Sequence, residues 1–439
     1  MSAINQINIG LLGCGTVGTG VVRLLLENAK LIHDRVGAVI CLKKIADINL
    51  VPIKKLFIDG KPINAELMTQ HAEEVVSDPD IHIIVETIGG ETVAKDLILS
   101  AIEKGKHIVT ANKALLSSHG NTIIEKANQR GVDLAYEASV GGCMPIIKTI
   151  RETLVSNHIH YVIGILNGTC NYILSKITND HLSFQDALAE AQQMGYAEAD
   201  PTLDVEGIDT AHKLSILMAL AFGMPITFDP IYIEGISKLS ALDIQLAEQF
   251  GYRIKLLAIA KKNGNAIEAR VHPTMIPFHN LLSNVNGSLN AMMISGDAVG
   301  EMILYGYGAG MMPTASAILS DIVDIARNIL SGSKGRIPIL SYQNQAIKTI
   351  NVLPIEAIES KYYFRFTASD KPGVLHQISG ILAKYQISIE SVHQKGKDSD
   401  DVPIVMMTYK AKEKDVRQAL KEIQDLNVVT ETPILIRVE

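Results

Sequence analysis

The sequence predicts an α/β protein with three parts: a doubly wound parallel sheet, an α+β domain, and a small C-terminal βαββαβ module. Short apolar runs alternate with helical stretches up to about residue 140, which is typical of a parallel sheet covered by helices. Helical periodicity and glycine-rich loops dominate from about 145 to 330. The remaining residues then follow the order strand, helix, strand, strand, helix, strand, and the last strand is predicted over 427–437.

The composition is that of a globular protein rather than of a membrane or nucleic-acid-binding one. The chain has 439 residues, of which 47% are apolar and 20% charged, with a formal net charge of −7. It has no basic stripe and no block of like charges, which argues against a nucleic-acid or anionic-membrane partner. The longest apolar stretch, residues 214–222, is far shorter than the roughly 20 residues that span a bilayer.

Cysteine usage and the N-terminus predict a cytoplasmic location. The four cysteines are scattered without the C-x-x-C spacing that metal and redox sites use. The N-terminus has neither the basic region nor the cleavage site of a signal peptide. We therefore expect the reduced environment of the cytoplasm.

A glycine-rich turn, Gly-Cys-Gly-Thr-Val-Gly over residues 13–18, follows the first predicted strand and precedes a helix. In this pattern Gly13 permits the tight turn, Gly15 lets the backbone approach a pyrophosphate, and Gly18 permits close packing of helix and strand. The N-terminus of the following helix attracts the anionic charge. The motif in this context predicts a Rossmann-like dinucleotide-binding domain.

The acidic residue that would bind the adenosine ribose is Asp47, at the end of the second predicted strand. It lies further along the chain than the usual spacing of about 20 residues, which a longer first helix and loop would absorb. An aspartate there favours NAD, because its charge repels the 2′-phosphate of NADP. Lys54 and Lys55 could instead pair with that phosphate, so the prediction leans towards NAD and leaves NADP open.

Polar residues end three further predicted strands. Glu86 follows one apolar run, residues 110–113 (Thr-Ala-Asn-Lys) follow another, and residues 137–142 follow a third. Because ligands of open α/β sheets bind at the carboxyl ends of the strands, these residues are expected to form one wall of a site. Lys113 alone could be an ordinary solvated lysine, but its neighbours favour a role in that site.

A predicted helix carries Asp209 and Lys213 four residues apart, so that both side chains lie on one face. An exposed ion pair would be the simple interpretation, but the helix is apolar nearly all round, which is typical of a buried helix. A buried lysine needs a carboxylate partner or a lowered pKa, and either condition makes it a candidate for proton transfer or substrate orientation. The adjoining loop carries Glu198, Asp200 and Asp204, which would suit a small substrate bearing an ammonium group.

The segment 191–213 resembles the signature of homoserine dehydrogenases. The likeness extends to the glycine turn at 13–18, the strand end at 110–113 and the loop at 137–145, and residues 370–375 resemble an ACT regulatory domain. The resemblance implies NAD(P)-dependent interconversion of L-homoserine and L-aspartate 4-semialdehyde, in the route from aspartate to threonine and methionine.

Roles for the acidic and lysine residues follow from this resemblance. It makes Lys213 the acid/base group, Asp209 the residue that sets its charge and orientation, and Lys113 a second catalytic lysine near nicotinamide and substrate. Glu198 is expected to bind the ammonium or hydroxyl group of the substrate, with Asp204 and Asp209 assisting.

The resemblance also implies the cofactor contacts and a cation site. Cofactor-contacting positions beyond the glycines and Asp47 are Thr16, Val17, Thr110, Lys113 and Gly310. Many family members carry an arginine near the end of the second strand, consistent with NADP, where this chain has Ala46-Asp47. A monovalent cation, sodium or potassium, is expected at the main-chain carbonyls of Glu137, Val140, Gly142 and Met144.

The ACT-like module implies an allosteric amino-acid site, with threonine as the expected effector. The residues of this site are Asp370, Pro372, Gly373, Val374 and Leu375. A purely structural role in oligomerisation is the alternative. Because ACT domains commonly pair, we expect a homodimer or a homotetramer.

These features assign a Rossmann-like NAD(P)-binding domain to residues 1–133 and a catalytic, substrate and dimerisation domain to 134–330. The last part of the second domain, about 305–330, is expected to pack back on the nucleotide domain. A connector is expected over 331–360 and the ACT domain over 361–439.

Two other functions remain open on the residues alone. One is an acylating aldehyde dehydrogenase that uses Cys143 as nucleophile, although no histidine lies near Cys143 in sequence to activate it. The other is a non-catalytic sensor that binds a nucleotide and an amino acid. Such a sensor would not need a lysine and a carboxylate on a buried helix.

Overall fold

The structure, a computed structural model, describes residues 5–54, 57–58, 61–394 and 401–439. The strands in these residues are β1 Gln6–Leu12, β2 Val39–Ala46, β3 Phe57–Ile58, β4 Lys61–Pro62, β5 Met68–Thr69, β6 Ile83–Glu86, β7 His107–Thr110, β8 Leu134–Ala135, β9 Ile159–Ile165, β10 Tyr232–Ile233, β11 Tyr252–Asn263, β12 Ala266–Pro277, β13 Leu289–Gly296, β14 Gly300–Tyr307, β15 Asn351–Leu353, β16 Glu359–Ser369, β17 Ile389–Gln394, β18 Asp401–Thr408, β19 Ala411–Lys412 and β20 Ile434–Val438.

The helices are α1 Thr16–Glu27, α2 Ala29–Val36, α3 Val51–Lys54, α4 Ala72–Ser77, α5 Thr92–Glu103, α6 Lys113–Arg130, α7 Ile146–Lys148, α8 Gly168–Asp180, α9 Phe184–Gln193, α10 Thr202–Val205, α11 Ile208–Phe222, α12 Ala241–Gln249, α13 Met311–Ser331, α14 Val374–Lys384 and α15 Glu413–Gln424. A π-helical turn, Thr149–Thr153, continues α7. None of the described helices is long and apolar enough to cross a membrane.

The chain forms two units, each built from segments that are distant in sequence. The first unit comprises residues 1–168, 209–229 and 288–350, and the second comprises 169–208, 230–287 and 351–439.

The first unit contains a parallel sheet of six strands in the order β5-β2-β1-β6-β7-β8. On one face Ile7, Ile9 and Leu11 of the central strand pack into a core with α1 and α13. On the other face α4 approaches so closely that a Cβ at Gly10 would lie 2.4 Å from Val75 Cγ1. The sheet is therefore covered on both faces, which confirms the predicted doubly wound class.

A second, antiparallel strip in the first unit consists of β14, β13 and β9, with β13 in the middle. The residues of β13 are almost all buried, whereas Tyr305 and Tyr307 of β14 are more than half exposed. The strands of this strip come after those of the parallel sheet in sequence. Among the described residues the two share no strand.

The second unit is built on the antiparallel pair β11 and β12, which β20, β16, β18 and β17 extend in that order. From β16 onward the elements follow the predicted order strand, helix, strand, strand, helix, strand, with the two-residue strand β19 added before the second helix. Tyr362, Phe364 and Phe366 form the centre of the core between this sheet and helices α14 and α15.

The last strand is shorter than the sequence predicts. The prediction of a strand over 427–437 is wrong for its first part, because β20 begins only at Ile434. Pro433, directly before it, has no N–H to donate to a neighbouring strand. The residues ahead of Pro433 form a loop that hydrogen-bonds to the end of β16 through Val428 and Thr430.

Candidate active site

Lys213 lies on the buried helix α11, most of whose residues are apolar. Leu214, Ile216 and Leu217 are fully buried, and Lys213 itself is only 8% exposed. The burial that the sequence predicts for this helix is therefore present. A charged amine in this position needs compensation from nearby polar groups.

The compensation comes from one carboxylate and one carbonyl. Lys213 Nζ lies 2.6 Å from Asp209 Oδ2 and donates to the main-chain oxygen of Leu166 at 2.6 Å. The other carboxylate oxygen, Asp209 Oδ1, lies 3.1 Å from Lys113 Nζ. The structure thus places two lysine ammonium groups on the two oxygens of a single buried aspartate.

Asp209 is held in its ionised form by this arrangement. Burial by itself would raise the pKa of Asp209, but the charges of Lys213 and Lys113 outweigh burial and lower the pKa well below its usual range. A third group, Asn167, donates from Nδ2 to Asp209 Oδ2 at 2.8 Å. Sequence reasoning missed Asn167, because its position 42 residues before Asp209 gives no local signal.

Lys113 is the first residue of α6. A buried hydrogen-bond network at the ends of β6 and β7 holds the start of this helix in place. Asn112 caps the helix by accepting the N–H of Leu115 at 3.1 Å. Thr110, which is fully buried, donates to Glu86 Oε2 at 2.6 Å and accepts the N–H of Asn112. The side chain of Lys113 remains 38% exposed, so it lies at the boundary between this network and solvent.

The glycine turn has the conformation that its motif requires. Gly13 has φ +89°, and a Cβ at Gly18 would lie 2.2 Å from the oxygen of Gly13. At Gly15, by contrast, an added Cβ would meet no atom within 4 Å. Gly13 and Gly18 are therefore needed for the fold itself, while Gly15, followed by exposed Thr16, faces the open space in which a pyrophosphate would lie.

Asp47 follows β2 and contacts the glycine turn. Its carboxylate accepts the N–H of Cys14 and, at 2.7 Å, the N–H of Asn49. Lys54, the alternative partner for a phosphate, is exposed at the end of α3, and Lys55 lies outside the described residues. Asp47 is therefore placed beside the glycine turn, as the dinucleotide prediction requires.

Gly310 directly precedes α13 and has φ +118°. Helix α13 packs tightly on α1, since a Cβ at Gly20 would lie 2.8 Å from Met311 Cγ. The helix that begins in the glycine turn thus packs against the helix that Gly310 precedes. Both belong to the core that covers one face of the parallel sheet.

The loop of predicted cation ligands is buried and is anchored by the side chain of Glu137. This carboxylate accepts the N–H groups of Ile147 and Lys148 at 2.9 and 2.8 Å, and the N–H of Glu137 donates to Asp321 at 2.8 Å. Burial, together with repulsion from Asp321, raises the pKa of Glu137 to about 7. The side chain of Glu137 therefore caps the start of α7. The predicted cation ligand is a different group of this residue, its main-chain carbonyl.

The other three carbonyl positions lie in the same loop. Val140, Gly142 and Met144 are buried, and Gly142 has φ +58° with its Cα close to the backbone of Tyr307. The oxygen of Met144 accepts the N–H of Ile146 at 2.7 Å. Among the described residues, no group of three His, Cys, Asp or Glu side chains is placed to hold a metal ion.

The predicted substrate carboxylates belong to the second unit, whereas Lys213, Asp209 and Lys113 belong to the first. Glu198 is exposed, and its main-chain oxygen accepts Gln192 Nε2 at 3.0 Å. Asp204 lies in α10, and its main-chain oxygen accepts the thiol of Cys170 at 3.1 Å. The carboxylate of Asp200 accepts hydrogen bonds from both the N–H and the hydroxyl of Thr202, two residues further along the chain.

The predicted regulatory residues form the turn between β16 and α14. Asp370, Pro372 and Leu375 are exposed, whereas Val374 is part of the core of the module. Gly373 precedes α14 with φ +92°, which explains a glycine at this position. Cys143, the alternative nucleophile, is exposed.

Comparison with protein-family models matches three successive parts of the chain. Residues 13–137 match the NAD binding domain of homoserine dehydrogenase, and residues 145–323 match homoserine dehydrogenase itself. Residues 362–428 match the ACT domain.

Individual proteins give the same result over the full length. The chain is 47% identical to a homoserine dehydrogenase of Pseudomonas aeruginosa, covering 99% of both chains. The crystal structure of a homoserine dehydrogenase from Thiobacillus denitrificans is 44% identical, with a TM-score of 0.94 over 100% of this chain and 99% of that one. A hyperthermophilic archaeal homoserine dehydrogenase in complex with NADPH is 25% identical, with a TM-score of 0.61 over 73% of this chain and 97% of that one.

Proposed function

The chain belongs to the homoserine dehydrogenase family, and we propose that Lys213, Asp209 and Lys113 form its catalytic centre. It is an oxidoreductase that interconverts L-homoserine and L-aspartate 4-semialdehyde with a nicotinamide cofactor. Family membership favours this reaction over an acylating aldehyde dehydrogenase and over a non-catalytic sensor. The observation that carries the proposal is the single buried carboxylate that holds both lysines.

In this centre Lys213 moves the proton. The nicotinamide, when bound, supplies or accepts the hydride at C4 of the substrate. Lys213 donates a proton to the C4 oxygen during reduction of the aldehyde and removes it during oxidation of the alcohol. Asp209 and the oxygen of Leu166 fix the direction of the Lys213 amine, which leaves a further N–H for the substrate oxygen.

Lys113 serves as the second catalytic lysine. It shares Asp209 with Lys213 but remains partly exposed, which suits a group that contacts both substrate and nicotinamide. The ammonium group of Lys113 brings a second positive charge into the centre beside that of Lys213. That charge favours the alkoxide character that develops on the substrate oxygen.

Glu198 and Asp204 bind the substrate ammonium in our proposal. Both are carboxylates on the segment that leads into α11, and Glu198 is free to reorient because it is exposed. Two carboxylates and one ammonium form charge-assisted hydrogen bonds that orient the substrate.

The residues of the glycine turn fit a dinucleotide, and we propose NAD as the preferred one. Gly13, Gly15, Thr16, Val17 and Gly18 would hold the pyrophosphate, since the open space beside Gly15 is where the backbone can approach it. Asp47 would bind the ribose hydroxyls, and its negative charge disfavours an additional 2′-phosphate. Thr110, Lys113 and Gly310 would complete the site, with nucleotide binding assigned to residues 1–133 and catalysis to 134–330.

We propose a monovalent cation, sodium or potassium, at the carbonyls of Glu137, Val140, Gly142 and Met144. The supporting observations are that the loop is buried and that the offered groups are all oxygens, which alkali and other hard cations prefer. The proposal rests on the family resemblance, which is where this set of four carbonyls comes from.

Regulation and assembly complete the proposal. Threonine is the proposed effector of the ACT domain, and the protein is proposed to form a homodimer or a homotetramer. The exposed face of edge strand β14, with Tyr305 and Tyr307, supports assembly, because large exposed aromatic residues are enriched at interfaces. Removing the ACT domain would not test regulation cleanly, since β20 pairs with β12 and its loss would uncover that strand.

The testing experiment measures reduction of NAD and of NADP by absorbance, with L-homoserine as substrate. We expect homoserine-dependent reduction, faster with NAD, stimulated by sodium or potassium chloride relative to a tetramethylammonium salt, and inhibited by threonine. A faster rate with NADP would overturn the role given to Asp47. Equal rates in all three salts would overturn the cation site, and a threonine-insensitive rate would overturn the effector.

A further inference from the structure

Glu86 is a buried carboxylate that has no role in the proposed mechanism. It is the last residue of β6, where it pairs with Leu12 of β1, and it is fully buried. A carboxylate without contact with solvent costs free energy unless hydrogen bonds compensate for the loss of water. The groups that donate these hydrogen bonds to Glu86 come from two different strand ends.

One carboxylate oxygen holds the loop that follows β6. Glu86 Oε1 accepts the N–H groups of Ile88 at 2.8 Å and of Gly89 at 3.2 Å. The same loop contacts the glycine turn, because Thr87 donates its hydroxyl to the oxygen of Gly13 at 2.7 Å. Glu86 Oε1 therefore fixes a segment that lies directly beside the proposed dinucleotide site.

The other carboxylate oxygen is linked to the start of α6. Thr110 donates its hydroxyl to Glu86 Oε2 at 2.6 Å, and its oxygen accepts the N–H of Asn112 at 3.0 Å. Asn112 caps α6, whose first residue is Lys113. The hydroxyl of Thr110 therefore connects Glu86 to the turn that carries the lysine.

The side chain of Asn112 closes the connection between the loop and the helix. Its Nδ2 donates to the main-chain oxygen of Gly90 at 2.6 Å, while its Oδ1 accepts the N–H of Leu115 at 3.1 Å. Gly89 and Gly90 have φ of +79° and +68°, the left-handed region that favours glycine. The loop, Glu86 and the start of α6 thus form one closed set of hydrogen bonds at the ends of β6 and β7.

We propose that Glu86 is a positioning residue for Lys113. Its carboxylate holds the loop beside the glycine turn with one oxygen and the start of α6 with the other, and it thereby fixes Lys113 relative to the dinucleotide site. This role rests on the proposed catalytic function of Lys113.

Glu86→Gln separates the two sides of this connection. A glutamine amide has nearly the shape of the carboxylate but only one accepting oxygen. That oxygen can keep the N–H groups of Ile88 and Gly89, whereas the amide nitrogen cannot accept the hydroxyl of Thr110. Thr110→Val breaks the same hydrogen bond from its other end, and Thr110→Ser keeps it.

The experiment is a double-variant cycle on the full-length protein, with kcat measured at saturating L-homoserine and cofactor. The variants are Glu86→Gln, Lys113→Ala and the two combined, and the same cycle is run with Thr110→Val. Glu125→Gln, at an exposed position of α6, is the matched control. Fluorescence titration with NADH measures cofactor affinity, and circular dichroism with thermal midpoints checks that each variant folds.

We expect Lys113→Ala to lower kcat by about 100-fold, within the range for a group that acts in catalysis. Glu86→Gln should lower kcat by about tenfold, because a misplacement of 1 Å can cost about 100-fold. In the Lys113→Ala background, Glu86→Gln should cause no further loss, because it acts through the lysine that has been removed.

The other variants show which hydrogen bond matters. Thr110→Val should lower kcat as Glu86→Gln does, and Lys113→Ala should abolish that effect too. Thr110→Ser and Glu125→Gln should have the kcat of the wild type. The affinity of Glu86→Gln for NADH should stay close to that of the wild type, because the loop beside the glycine turn keeps its acceptor.

Three results would overturn the proposal. A folded Glu86→Gln variant with the kcat of the wild type would show that Lys113 does not depend on Glu86. An equal loss of kcat with and without Lys113 would make Glu86 a support of the fold, and the catalytic role of Lys113 would stand. A wild-type kcat in Lys113→Ala would instead remove the proposed role of Lys113, and with it that of Glu86.

Discussion

Two buried lysines in different units, Lys213 and Lys255, are compensated in different ways. Lys213 in the first unit is 8% exposed and contacts a carboxylate, Asp209, at 2.6 Å. Lys255 in the second unit is 2% exposed and donates only to neutral oxygens: Val285 at 2.6 Å, Asn171 at 3.0 Å and Asn286 at 3.2 Å.

The difference shows what a carboxylate partner does for a buried amine. Burial, with added repulsion from Arg253, lowers the pKa of Lys255 to about 7. Beside Lys213 it is the pKa of the carboxylate that is shifted. The charges of Lys213 and Lys113 lower the pKa of Asp209 against the effect of burial. Burial alone therefore does not identify a catalytic lysine, whereas a shared ionised carboxylate points to one.

The largest effect is expected from Lys213→Ala. Loss of the proposed acid/base group should lower kcat by about 10² to 10⁴-fold. Cofactor affinity should stay close to that of the wild type, because Lys213 is not among the residues proposed to contact the dinucleotide. Steady-state kinetics and cofactor titration by fluorescence measure the two quantities. Lys255→Met is the matched control, and a similar loss of kcat in that folded variant would contradict the assignment.

Asp209→Asn should convert the surroundings of Lys213 into those of Lys255, with neutral oxygens only. We expect kcat to fall by about 100-fold and the pH–rate profile to move to lower pH, because the charged amine loses its carboxylate. The free energy of unfolding should fall by about 3 kcal/mol, the effect of breaking a buried ion pair. A pH profile that keeps its wild-type position would show that Asp209 does not set the charge of the lysine.

Lys255→Gln tests the other side of the comparison through stability. The pKa of Lys255 is about 7 in the folded protein and, as for a free lysine, about 10.4 in the unfolded chain. Between these values the unfolded chain binds more protons, so this residue's contribution to stability rises with pH. From about pH 7 to 9 the wild type should gain roughly 2 kcal/mol relative to the variant in urea unfolding. A difference that does not change with pH would mean that Lys255 stays charged.

The smallest effect is expected from Asn167→Ala. This change removes one hydrogen bond to Asp209 while both lysines remain, which corresponds to about 1 kcal/mol, or roughly fivefold in kcat. A positioning role predicts a change in the pH–rate profile as well as in kcat, and partial recovery with Asn167→Gln. If only the thermal midpoint changes, Asn167 is structural.

The sequence predicts the local features of the site well. The i, i+4 spacing of Asp209 and Lys213 and the apolar residues around them depend only on the period of a helix, and both features are present. The glycine turn is similarly local, since the steric demands at Gly13 and Gly18 come from a few neighbouring residues. The start of the last strand was misjudged, because Pro433 and the loop before it decide where pairing with β16 begins.

The groups that complete the site could not be predicted in this way. The oxygen of Leu166 and the amide of Asn167 reach α11 from the end of β9, and Lys113 reaches Asp209 from the start of α6. Nothing in the pattern around Lys255 marks it as buried, because its three acceptors come from α8 and from the loop after residue 284.

The sequence by itself therefore determined the fold class, the dinucleotide motif, the Asp209 and Lys213 pair and the family resemblance. Each of these depends on residues a few positions apart, whose relation follows from helix and strand periods and from backbone sterics. Only the tertiary structure decided that one aspartate serves two lysines, that Asn167 supports it, and that Glu86 links the loop after β6 to the start of α6. These relations depend on strand order and helix packing over long separations, which local periods do not specify.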